Sequence, residues 1–277
     1  MLIDSHQHYW RYDPRAYPWM TEDLARLKQD FLPEDLSALL NGHQFNGAIA
    51  VQARHSLDET HQLIRWAGEG AGTNAVVGWV DIQKEDLAEQ LAYLRHPLLR
   101  GFRHQVQDEA NPAEWLLRPA VTRGLTILQR QGYVWDMLVT WRHLAESATF
   151  AEQHDNHWLV LDHLGKPDIT KGAAEWGRQI APLARLPHVI CKLSGLVTER
   201  PAWQGDQSEL RPFIEEALLR FGPSRLMFGS DWPVCLLAAE YDEVYQLINQ
   251  QVQTLSPTEQ ASIWGETALK VYGLTGE

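Results

Sequence analysis

Cysteine and positive charge are both scarce in this chain. Cys191 and Cys235 are the only cysteines among 277 residues, which excludes a disulfide framework while leaving a single bridge open. Lys and Arg number 24 against 36 Asp and Glu, a net charge of −12. Phosphate backbones are bound by clustered Lys and Arg, so this deficit speaks against a nucleic-acid partner. There is no basic amphipathic stretch to suit a membrane surface, and no apolar run approaches the ~20 residues of a bilayer span. The opening residues lack the charged and apolar regions of a secretory signal. A soluble cytoplasmic protein with a small-molecule partner is the expectation, and its oligomeric state is not readable. No glycine-rich phosphate turn follows any apolar run, which counts against a dinucleotide-binding open sheet. Linkers rich in Ser, Pro or Gly are also missing, so residues 1–277 read as one domain.

What is present is alternation. Short aliphatic runs fall near residues 1–6, 46–52, 75–81, 99–105, 133–139, 158–163, 189–194 and 225–230. Most are apolar on both faces ("GAIAV", "AVVGWV", "WLVLD"), as strands of a buried parallel sheet are. Amphipathic segments lie between them, among them "SLDETHQLIRWAGEG", "DLAEQLAYLRH" and "QSELRPFIEEALLRFG". "SPTEQ" reads as a helix start, with Ser256 as N-cap, Pro257 at N1 and Glu259 at N3. Eight strand–helix units in this length predict an α/β fold of the (β/α)8, or TIM-barrel, type, which takes ~250 residues. The segment from Tyr9 to Pro33 is then a long first βα loop over the barrel mouth.

Such barrels carry their reactive groups at the C-terminal ends of the strands. Those ends hold His6 and His8, Gln52 with Arg54 and His55, Arg103 with His104, Trp135 with Asp136, Asp162 with His163, Lys192 with Ser194, and finally Asp231 beside Trp232. Side chains alternate along a strand, so His6 and His8 share a face. Each residue alone has a plainer explanation. "DHLGKP" could be a strand exit shaped by Gly165 and Pro167, and Asp231 could cap a helix. Together, on strands one, six and eight, they point to one site. His43, His61, His96, His154, His157 and His188 fall in helices or loops and receive no role.

The phrases "IDSHQHYW", "LRGFRHQVQDE", "LVLDHLGKP", "CKLSGLVTE" and "LMFGSDWPVC" resemble the amidohydrolase superfamily. Within it they resemble the branch of sugar-lactone hydrolases that includes L-fucono-1,5-lactonase-like and L-rhamnonolactonase-like enzymes. The likeness runs over essentially the whole chain. Two-metal members of the superfamily carry a Lys or Glu at strand four and a His at strand five, where this chain has "FRHQ" and "WDML". The resemblance therefore implies at most one divalent ion among His6, His8 and Asp231, with His163 near it. Imidazole and carboxylate suit zinc, and manganese next. Since related lactonases work without a metal, a metal-independent site is the alternative.

On this reading Asp231 is the general base for water. His6, His8 and His163, with Arg103 and His104, polarise the carbonyl and stabilise the oxyanion. Gln52, Arg54, Trp135, Asp136, Lys192, Ser194 and Trp232 bind substrate. Twelve tryptophans suit stacking on a sugar face, and the few arginines at the mouth disfavour a dicarboxylate. A neutral six-carbon sugar lactone ranks first. A pyrone-dicarboxylate lactonase, a metal-dependent decarboxylase and a silent binding protein follow.

Overall fold

The computed structural model describes residues 1–70 and 72–274. Eight parallel strands form one sheet in sequence order, β1 (Ile3–Gln7), β2 (Gly47–Val51), β3 (Thr73–Gly78), β4 (Leu99–His104), β5 (Val134–Met137), β6 (Leu159–Leu161), β7 (Val189–Leu193) and β8 (Leu226–Phe228). All eight predicted runs are strands. The sixth and eighth are shorter than their apolar runs, because the chain turns into the mouth loops at Asp162 and Gly229. Past β8 the barrel is closed by a parallel bridge between Gln7 and Trp232, with Asp231 N donating to His6 O at 2.8 Å and His8 N to Trp232 O at 2.7 Å. Those two bonds hold His6, His8 and Asp231 together before any side chain is considered.

Helices follow the strands where amphipathic segments predict them, including Leu57–Gly68, Leu87–Leu94 and Arg211–Phe221. Ser56 and Ser256 each accept from the amide three residues on, and Ser256 completes the capping box with Glu259. The long first loop is pinned by an antiparallel bridge between Trp10 and Phe31. Among the described residues no helix is long and apolar enough to cross a membrane.

The core has two parts. One packs the helices onto the outside of the strands. The other fills the N-terminal half of the barrel with Val51, Val77, Val134, Val160, Ile190 and Met227, under a plug made by Val271 and Tyr272 of the last helix. Alternation places the next inward position two residues further along each strand. From Val134, Val160 and Ile190 those positions are Asp136, Asp162 and Lys192. The apolar layer thus gives way to a layer of charge, all of it buried.

Candidate active site

The histidine pair faces inward because β1 is irregular. Its register against β2 shifts between Asp4 and Gln7. Strict alternation from Ile3, which points inside, would have sent Ser5 and Gln7 inward instead. Two glycines leave room for the rings. A Cβ on Gly229 would lie 2.6 Å from the Cβ of His6, and one on Gly195 would lie 2.5 Å from His163 Nδ1. His163 and Asp231 both take the left-handed backbone that side chains usually avoid, with φ of 54° and 58°. Non-glycine residues held there cluster at functional sites, where surrounding structure enforces the conformation.

Three imidazoles converge on one carboxylate oxygen. The Nε2 atoms of His8, His6 and His163 lie 3.2, 3.7 and 3.9 Å from Asp231 Oδ1. His8 is anchored behind, its Nδ1–H donating to Val51 O at 2.8 Å. That leaves Nε2 of His8 facing Asp231, an arrangement completed by a cation, whether a proton or a metal ion. His163 Nδ1 meets Ser194 Oγ at 2.8 Å. Whichever of these two donates fixes whether Nε2 of His163 offers a lone pair or an N–H.

Beneath this cluster lies the charged layer. Arg103 donates to Gln52 Oε1 and to Asp162 Oδ2 at 3.0 Å, and its Nη1 stands 3.3 Å from His6 Nε2. Lys192 Nζ donates to Asp136 Oδ2 at 2.5 Å, and Tyr272 donates to the same carboxylate.

Burial alone would raise the Asp231 carboxyl, but His163, the His8 hydrogen bond and His6 outweigh it and hold it below the usual carboxylate range. Burial would raise Asp162 too, and Lys192, then His6 and Arg103, bring it well below. Asp136 is pushed up to about 6, by burial first and despite Lys192. Burial lowers His163 to about 4 and His6 well below its ordinary value. At neutral pH an ionised Asp231 therefore faces neutral His6 and His163, the protonation state that metal binding requires of these three residues.

A cavity of about 250 Å³ opens over the cluster, and its walls include His8, Trp10, Trp19, Arg103, His163 and Asp231. Gln105, Gln107, Asp108, Lys166 and Thr198 complete much of the lining. Sequence reasoning assigned none of these five a site role. All five lie within phrases quoted above, Gln105, Gln107 and Asp108 in "LRGFRHQVQDE", Lys166 in "LVLDHLGKP" and Thr198 in "CKLSGLVTE", but each falls past its strand, where no periodic signal marks it. Asp162, fully buried and joined to both Arg103 and Lys192, is the other residue left without a role. The i, i+2 pattern from Val160 is the signal that finds it.

Several expected substrate contacts lie elsewhere. Trp135 is buried behind β5, stacked on Trp115. His104 neighbours Arg103 in a strand and so points the opposite way. It stacks between His55 and Trp115 and pairs through Nε2 with Glu109 Oε1 at 2.7 Å. Trp232 packs against Phe31, and Arg54 lies over the Tyr17 ring beside a neighbouring cavity. Gln52, Asp136, Lys192 and Ser194 support the cluster from behind and are absent from the cavity lining.

The donor atoms of His6, His163 and Asp231 lie within 4.8 Å of one another. Two imidazoles and a carboxylate, preorganised and buried beside a cavity, fit a zinc ion. The ligand set expected from the sequence was His6, His8 and Asp231. Here His163 closes the tight group, and His8 contacts the same Asp231 oxygen.

The family model for amidohydrolases matches residues 3–274. An L-fucono-1,5-lactonase from Burkholderia multivorans is 46% identical, over 99% of this chain and 96% of its own length. A second L-fucono-1,5-lactonase, from Burkholderia ambifaria, is 34% identical over 98% of this chain and 94% of its own. A crystal structure of a Burkholderia multivorans amidohydrolase with bound zinc superposes with a TM-score of 0.96 at 45% identity, covering 99% of this chain and 100% of that one. This chain belongs to the amidohydrolase family.

Proposed function

We propose that this chain, acting as one catalytic domain, hydrolyses a neutral sugar 1,5-lactone of the L-fucono, L-galactono or L-rhamnono type to its aldonic acid. The observation that carries the reading is the convergence of three imidazoles on Asp231 at the floor of a small cavity. Full-length similarity to two L-fucono-1,5-lactonases supports the substrate class. So does the cavity's size, which suits a single ring, and its lining by two indoles and several hydrogen-bonding side chains. Among the described residues Arg103 and Lys166 are its only Lys or Arg side chains, too few to pair both carboxylates of a pyrone dicarboxylate.

Asp231 holds a water and takes its proton as the water oxygen attacks the lactone carbonyl carbon. Arg103 stabilises the oxyanion of the tetrahedral intermediate, joined by His163 when its Nε2 carries the proton and no metal is bound. The ring C–O bond then breaks, and Asp231 returns the proton to the departing oxygen, which stays tethered as a hydroxyl. Zinc, held by His6, His163 and Asp231, would supply Lewis-acid polarisation of the carbonyl when bound. Trp10 and Trp19 stack the ring, while Gln105, Gln107, Asp108 and Thr198 read its hydroxyls.

A panel of aldonolactones assayed with a pH indicator tests this, since each turnover releases a proton. L-Fucono- or L-galactono-1,5-lactone should exceed unsubstituted δ-valerolactone in kcat/KM by at least ~10³-fold, because hydroxyl-binding groups covered by the bound ring are left unpaired by an analogue without hydroxyls. Equal rates on the two substrate types would sink the proposed substrate class.

A further inference from the structure

His6 belongs to two groups of metal-ligand type. The first, with His163 and Asp231, faces the cavity. The second, with Asp136 and Asp162, lies beneath it, fully buried, its ligand atoms again within 4.8 Å of one another. A charge already stands in the second group. Lys192 Nζ is 2.5 Å from Asp136 Oδ2, 3.2 Å from Asp162 Oδ1 and 3.2 Å from His6 Nδ1. We propose that the Lys192 ammonium is a built-in cation filling what would otherwise be a second divalent-metal site, and that it limits this centre to a single ion.

Three observations carry this. Asp162 Oδ1 makes ion contacts but no directed hydrogen bond, although it is fully buried. A desolvated carboxylate oxygen aimed at a shared point is what a cation site offers. The remaining valences of the two acids are already met, by Arg103 on Asp162 Oδ2 and by Tyr272 on Asp136. Only the side facing Lys192 therefore depends on the ammonium. Finally, two carboxylate oxygens and an imidazole nitrogen are a competent donor set for zinc or manganese. Metal bonds of ~2.0–2.2 Å require an inward shift of about 1 Å by Asp162 and His6 and a smaller one by Asp136. Unlike a free ion, the tethered ammonium cannot dissociate, so the acids stay neutralised and the His6 ring stays fixed at any metal concentration. The inference concerns ion number, and it holds whatever the substrate and whether or not the upper group carries zinc.

The test is zinc stoichiometry, by elemental analysis of full-length protein equilibrated with zinc and freed of excess. Lys192→Ala removes the ammonium and leaves space. Lys192→Met removes the charge but fills the space with a methyl group, and Lys192→Ala/Asp136→Asn deletes a ligand as well. The expected result is one zinc more per chain in Lys192→Ala than in the parent, together with a zinc-dependent rise in Tm. Lys192→Met and the double variant should match the parent. The proposal is overturned by a Lys192→Ala protein with the parent's zinc count, or by one that stays unfolded at saturating zinc. An equal extra ion in Lys192→Met or in the double variant would also overturn it.

Discussion

At the scale of single residues, the site depends on atoms that are missing as much as on those present. Gly229 lets the backbone after β8 pass against His6, and a methyl group there would meet His6 Cβ at 2.6 Å and its backbone nitrogen at 3.2 Å. Neither partner is the free end of a flexible chain, so the His6 ring must move. Displacing a reacting or positioning group by about 1 Å costs on the order of 10²-fold in rate. Gly229→Ala is therefore expected to lose ~10–100-fold in kcat while keeping its circular dichroism spectrum. An unaltered kcat in a folded variant would show that His6 tolerates displacement and stands outside the chemistry.

At the scale of elements, the junction between β2 and its helix holds a buried acid outside the site. Glu59 accepts from the amides of Ala53 and Arg54 at 3.0 Å and, more weakly, from the Tyr17 hydroxyl of the first loop. Burial, opposed by those amides, raises its carboxyl from 4.5 to about 7. Between these values the folded state binds more protons than the unfolded one, so stability falls as pH rises from about 4.5 to about 7. The full span is on the order of 3 kcal/mol. Glu59→Gln does not titrate. Its Tm should gain on the parent's by about 5 °C between pH 5 and pH 8 in thermal melts, and a constant difference would mean that Glu59 ionises normally when folded. How much was legible in the sequence also divides by element. The strands stood out as apolar runs, and Asp231 and His163 as polar residues where those runs stop. His6 and His8 were placed on one face correctly, although the register shift that turns that face inward leaves no mark in the residue pattern. His104 and Trp135 were misplaced because adjacent residues in a strand cannot both face the barrel axis, a rule that Arg103 and Asp136 had already used up. The loop residues of the cavity left no periodic trace.

At the scale of the whole molecule, the barrel is built in layers along its axis. Apolar residues and the Tyr272 plug fill the closed end. Above them a compensated layer of Asp136, Lys192, Asp162 and Arg103 carries alternating charge. The three histidines and Asp231 come next, and the cavity under the first loop lies on top. Each layer holds the one above. The apolar end excludes water, the charged layer orients His6, and the histidines keep Asp231 ionised. In the proposed mechanism Asp231 is the base for which the rest is scaffold. The most direct measurement is kcat on L-fucono-1,5-lactone for the parent and for Asp231→Asn, with both proteins shown to be folded. Asparagine keeps the shape and cannot take a proton, so a fall of ~10²–10⁴-fold is predicted. Near-parental kcat in the folded Asn variant would contradict the account.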